Sequence, residues 1–89
     1  MLDRTVTIVN KLGLHARAAS EFVKTAGAFG ASITVKNPNK EANGKSIMSV
    51  MMLAAAQGSL IRVRCEGEDE QNALDAIVAL IDDYFGEDG

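Results

Sequence analysis

Residues 61–66, Ile61-Arg62-Val63-Arg64-Cys65-Glu66, alternate apolar and charged side chains without a break. Only an extended chain, whose side chains point to opposite faces in turn, gathers Ile61, Val63 and Cys65 on one side and Arg62, Arg64 and Glu66 on the other. The stretch predicts a strand with one buried and one wet face. A sheet wet on one side favours mainly antiparallel pairing, with its cover on the other side.

On the C-terminal side, Glu68, Asp69 and Glu70 place negative charge where a helix N-terminus accepts it, and Leu74, Ile77, Val78 and Ile81 recur as the buried stripe of that helix. Residues 86–89 read as a frayed tail. On the N-terminal side, Ser46 precedes Ile47, Met48, Val50, Met51, Leu53 and Ala54, a short apolar helix with a serine N-cap that Gly58 is expected to close. Before it come a short polar strand around Lys40 to Asn43, the turn Asn37-Pro38-Asn39, and the strand Ser32–Lys36 with Ile33 and Val35 inward. Ala19, Phe22, Val23 and Ala26 mark one face of a helix stopped by Gly27, and Thr5 to Val9 alternate as a first strand with Val6 and Ile8 inward. The order is βαββαβα. It predicts an α/β (α+β) domain, an open-faced sandwich whose helices cover one face of a small sheet.

Eighty-nine residues suffice for one domain with one core, so 1–89 is read as a single unit with little room for a deep catalytic pocket. Aromatics are 4% and Trp is absent, so Ile, Val, Leu, Met and Ala must build the core. No apolar run approaches the roughly 18 residues of a membrane span, and the N-terminal residues lack the succession of regions that marks a signal peptide. Membrane insertion is therefore not expected, and a cytoplasmic location is. Cys65 is the lone cysteine, which cannot form an internal disulfide and reads as a core thiol. Charge is segregated: residues 1–45 carry seven basic and three acidic side chains, net +4, and residues 46–89 carry two and nine, net −7. The basic part suits an anionic group or an acidic protein partner. Scattered basic residues and few aromatics argue against nucleic acid.

His15 is the single histidine, which with one cysteine excludes a multi-histidine metal cluster and a zinc ribbon, and there is no Gly-rich nucleotide loop. No metal and no cofactor are expected. His15 stands at the junction of the first loop and the first helix, in Gly13-Leu14-His15-Ala16-Arg17. The backbone N–H groups of a helix start, here those of Ala16 and Ala18, form an anion site, and the Arg17 guanidinium suits phosphate oxygens. Such positive surroundings favour the neutral imidazole, whose unprotonated nitrogen is a nucleophile. An imidazole N–P bond is labile, so a phosphoryl group taken up there can be passed on.

The stretches Asn10-Lys11-Leu12-Gly13-Leu14-His15-Ala16-Arg17, Gly44-Lys45-Ser46-Ile47-Met48 and Gly67-Glu68-Asp69-Glu70 occur in the order found in one family. Over nearly its full length the chain resembles the histidine-containing phosphocarrier protein HPr family of the bacterial phosphoenolpyruvate-dependent phosphotransferase system. The resemblance implies four antiparallel strands covered by three helices. It implies that His15 is phosphorylated on Nδ1 by Enzyme I, which draws on phosphoenolpyruvate, and delivers the group to Enzyme IIA proteins, with Arg17 binding the phosphate. Such a protein is a stoichiometric carrier, not an enzyme, and one that docks alternately with several partners has reason to be a monomer. The family usually has proline directly after the arginine; this chain has Ala18, an excellent helix former, so the helix start should persist.

Ser46 has two readings. As a helix cap it contributes about 1 kcal/mol. By resemblance it is also the serine that HPr kinase/phosphorylase phosphorylates in some bacteria, a change that would put about −1.5 to −2 charge on the docking surface. The helix after it lies beside the histidine in the family and forms part of the partner surface, which makes Ile47, Met48 and Met51 docking candidates, although Met51 and Leu53 also read as core. Flexible methionines suit a carrier with unrelated partners. A nitrogen-related regulatory branch of the same system has a carrier that shares Asn-Lys-Leu-Gly and an acidic, Phe-Gly-containing C-terminal tail with this chain; the Lys45-Ser46-Ile47-Met48 segment leans towards sugar uptake. Purely regulatory relatives lack the histidine.

Overall fold

The alternating segment lies at the centre of the sheet in the computed structural model, which describes residues 1–87. Strand β4 (Leu60–Glu66) is flanked by β1 (Leu2–Thr7) and β2 (Ser32–Lys36), and β3 (Glu41–Asn43) pairs with β2 at the edge. All three pairings are antiparallel, with Val6 opposite Ile61, Ile33 opposite Cys65, and Val35 opposite both Val63 and Ala42. The inward residues Val6, Ile33, Val35, Ile61, Val63 and Cys65 are buried. The outer face carries polar pairs such as Arg64 with Asp3 and Lys36 with Glu41, at 3.8 and 3.5 Å. Burial also pushes the Cys65 thiol pKa up, which keeps it protonated and inert.

Helices α1 (Ala16–Ala26), α2 (Ile47–Met52) and α3 (Glu70–Asp82) cover the other face. From α1, Ala18, Ala19, Phe22 and Ala26 enter the core; α3 contributes Ala73, Leu74, Ile77, Val78 and Ile81. The fold class and element order read from the sequence are those observed. The α3 N-cap, Asp69, does not cap its own helix: its carboxylate accepts from the amides of Gly30 and Ala31, both at 2.9 Å, and bolts α3 to the turn after α1. The Gly30 amide above all, aided by that of Ala31, holds this carboxyl pKa below its ordinary value against the opposing effect of burial.

Three boundaries differ from expectation. The first strand begins at Leu2 and ends at Thr7, and Ile8 then bonds to the loop backbone of Gly58 and Ser59. Helix α2 stops at Met52 and not near Gly58. The carbonyls of Met52 and Leu53 are taken by Lys40 Nζ and Asn37 Nδ2, and Ala54 turns the chain away at φ 51°. In this short helix Val50 and Leu53 face inward, which rotates Met51 to the surface, so the core reading of Met51 is wrong and that of Leu53 right.

The third difference is the C-terminus. Residues 88–89 of the expected frayed tail lie outside the described residues, but Gly86 and Glu87 are held in place. Tyr84–Gly86 form a 3-10 turn, and Tyr84 and Phe85 both adopt left-handed backbone, φ 59° and 54°. That conformation costs an L-residue about 1–2 kcal/mol. Phe85 is only 2% exposed, and burying such a ring contributes about 1.5–3 kcal/mol, enough to offset most of the strain. Among the described residues no helix is long and apolar enough to cross a membrane.

Candidate functional site

The loop that delivers His15 to the head of α1 is closed on itself. Asn10, fully buried, donates through Nδ2 to the carbonyl of Gly13 at 2.8 Å, while the Gly13 amide returns a bond to the carbonyl of Asn10 at 3.2 Å. Gly13, at φ +65°, lies against the backbone of Ala55 and Ala56, and the next amide, of Leu14, donates to the Ala55 carbonyl at 2.9 Å. A side chain at position 13 has no room, which is why the loop needs glycine there.

His15 is the N-cap of α1, with extended backbone and no side-chain capping bond; its ring is 29% exposed. The amides of Ala16, Arg17 and Ala18 therefore head the helix without a side-chain cap and point where an anion is favoured. Ala18 is fully buried and continues the helix from its first turn, so the start persists without a proline. Arg17 is exposed in the first turn of α1, and its charge acts on the Glu87 carboxyl.

The sequence reading missed a partner of the ring. Glu87 Oε2 lies 2.5 Å from His15 Nε2, and Oε1 accepts from Asn10 Nδ2 at 3.0 Å. Burial alone would raise the Glu87 pKa, but the hydrogen bonds from Asn10 and His15, together with the charges of His15 and Arg17, outweigh it and the carboxyl titrates below its ordinary value. Glu87 is thus ionised at neutral pH and can only accept. The proton of the contact therefore belongs to Nε2, and whenever the ring is neutral Nδ1 keeps its lone pair. Asn10 donates twice at the expense of its own Oδ1, which is buried with no hydrogen-bond partner among the described residues.

The segment 2–83 matches the family model described as the PTS HPr component phosphorylation site. The chain belongs to the HPr family. A phosphocarrier protein HPr of Xylella fastidiosa is 49% identical, with 99% of each chain covered. The crystal structure of an HPr from Thermoanaerobacter tengcongensis superposes with a TM-score of 0.95 at 46% identity, covering all of both chains. A phosphocarrier protein NPr of Shewanella violacea is 45% identical, with 97% of this chain and 94% of that protein covered. The chain is accordingly a phosphocarrier of the phosphotransferase system.

The remaining sequence-derived positions of this chain lie on α2 and at its N-cap. Ser46 is its N-cap and accepts from the Ser49 amide at 3.4 Å, a long and weak bond. Lys45 beside it reaches the Phe29 carbonyl at 2.7 Å. Ile47, Met48 and Met51 are exposed, as are Met52 and, on the loop before His15, Leu12. Helix α2 packs against α1. Among the described residues no group of three or more His, Cys, Asp or Glu side chains is placed to hold a metal ion. Asn10 entered the sequence reading only as part of a motif. Glu87 carried no local signal at all.

Proposed function

We propose that His15 accepts a phosphoryl group on Nδ1 from Enzyme I and passes it to Enzyme IIA proteins of the sugar branch, with Arg17 and the amides of Ala16 and Ala18 neutralising the phosphate oxygens. The observation that carries this reading is the placement of the only histidine at the uncapped head of an 11-residue helix with Arg17 in the same turn. The protein acts as a stoichiometric carrier, in the cytoplasm and as a monomer. Ile47, Met48 and Met51 form part of the surface that partners cover. Ser46 is a regulatory phosphorylation site for HPr kinase/phosphorylase, and its phosphate would repel acidic partners from that surface.

Incubation with Enzyme I and phosphoenolpyruvate should add one acid-labile phosphoryl group by intact mass, and His15→Ala should abolish it. An unmodified wild-type chain, in a reaction where a known carrier is labelled, refutes the reading. With ATP and the serine kinase, labelling that persists in Ser46→Ala excludes Ser46 as the only target. The 45% identity to an NPr supports a second reading, service to the nitrogen-related branch. Preferential labelling by that branch's Enzyme I would establish it.

A further inference from the structure

We propose that Glu87 is a positioning residue for phosphoryl transfer at His15: its carboxylate keeps the ring proton on Nε2, reserves the Nδ1 lone pair for phosphorus, and balances the charge that the phosphorylated ring acquires. The inference rests on the carrier reading above.

Three features of the fold converge on this contact. The carboxylate is held at both oxygens, by Asn10 Nδ2 at 3.0 Å and by His15 Nε2 at 2.5 Å. Asn10 cannot turn over to present its oxygen instead, because the same Nδ2 group is fixed on the Gly13 carbonyl at 2.8 Å in a buried setting. The chain also enters two successive left-handed residues, Tyr84 and Phe85, just before Glu87, while Phe85 anchors the turn in the core. The backbone thus accepts strain in the segment that brings residue 87 to residue 15.

The chemistry needs such a group. The Nδ1 lone pair forms the new N–P bond, and the bond from phosphorus to the donor breaks with its electron pair staying on the donor. No proton moves. The ring then has phosphorus on Nδ1 and hydrogen on Nε2 and is a cation, next to an ionised carboxylate. On delivery, Nδ1 takes back the N–P electron pair and departs as neutral imidazole. Without the Nε2 proton it would have to depart as an imidazolate, a far poorer leaving group. Holding that proton keeps the transfer easy in both directions.

The test uses the full chain with 15N-labelled histidine and the variants Glu87→Gln and Glu87→Ala. In Glu87→Gln the amide oxygen is wanted by both Asn10 and Nε2–H, and whichever site receives the amide nitrogen loses its acceptor. In Glu87→Ala only solvent faces the ring. The Nδ1 and Nε2 nitrogen shifts should show the Nε2–H tautomer dominating in the wild type and the Nδ1–H form rising several-fold in both variants. The rate of labelling by Enzyme I should fall by on the order of tenfold, at the low end for a residue that orients a reactive histidine because the pair is partly exposed. Amide spectra must report an intact fold. Unchanged tautomer populations, or a changed tautomer with an unchanged rate, overturn the proposal. A wild-type chain that Enzyme I does not label, beside a labelled control carrier, overturns the carrier reading instead, and the nitrogen shifts still decide whether Glu87 orients the ring.

Discussion

Substituting alanine at Gly13 and at Gly58 separates backbone strain from steric conflict at the loop that carries His15. Both glycines have positive φ, +65° and +89°, but a Cβ at Gly58 meets nothing within 4 Å. At Gly13 the methyl would lie 2.9 Å from the Ala56 Cα and in collision with the Ala55 carbonyl oxygen, the acceptor for the Leu14 amide. The left-handed conformation costs alanine about 1–2 kcal/mol at either site. At Gly13 the displaced loop also loses a hydrogen bond, about 1 kcal/mol, and overpacks its neighbours, about 1–3 kcal/mol. The gain from a stiffer unfolded chain is common to both variants and cancels in the comparison. Urea denaturation should show Gly13→Ala less stable than Gly58→Ala by about 2 kcal/mol or more, or about 8–16 °C in Tm for a domain of this size. Labelling by Enzyme I should slow in Gly13→Ala and not in Gly58→Ala. Equal stability of the two variants, within about 0.5 kcal/mol, would refute the account of this loop.

Phe85→Ala should lower stability by about 3 kcal/mol, since it empties a buried site and leaves the left-handed turn without its anchor; denaturation in urea measures it. Asp69 has a depressed pKa in the folded state, so its contribution is complete above the carboxyl range of the unfolded chain, roughly pH 4, and disappears as pH falls through the folded value. Asp69→Asn should therefore be less stable than wild type at pH 7, with the gap closing in acid, as parallel denaturation series at the two pH values will show. Ser46→Ala should cost only about 0.5 kcal/mol, because the cap bond is long. Met48→Asp should leave stability within about 0.5 kcal/mol, as expected of an exposed side chain, while weakening transfer to partner proteins in a steady-state labelling assay.

Elements with strong periodicity were legible from sequence. The strand Ser32–Lys36 has the bounds read from its alternation, and β4 differs only by one residue at its N-terminal end. The serine N-cap of α2 was equally clear, because capping chemistry is local. The end of that helix was not, since it depends on Asn37 and Lys40 reaching its carbonyls from another part of the chain. Met51 shows a related limit: five apolar positions in a six-residue helix leave its inward face undetermined until the helix is docked. At the site, His15, Arg17 and the helix head were visible because their spacing is local. Glu87 is separated from His15 by 72 positions and from Asn10 by 77. No window of sequence contains that relation, and an acidic tail after an aromatic pair reads as solvated.

The strand order β1-β4-β2-β3 governs how the molecule acquires its shape as well as what shape it has. The first strand must find a partner whose register runs from Leu2 opposite Cys65 to Thr7 opposite Leu60, so its pairing requires a contact across more than half of the sequence. Closing loops of that length before any contact rewards them slows folding, and places mixed α/β domains between the microsecond helical bundles and the slower all-β barrels. The β2–β3 hairpin, by contrast, closes between neighbours in sequence, and with β4 it can offer a template on which the N-terminal strand docks late.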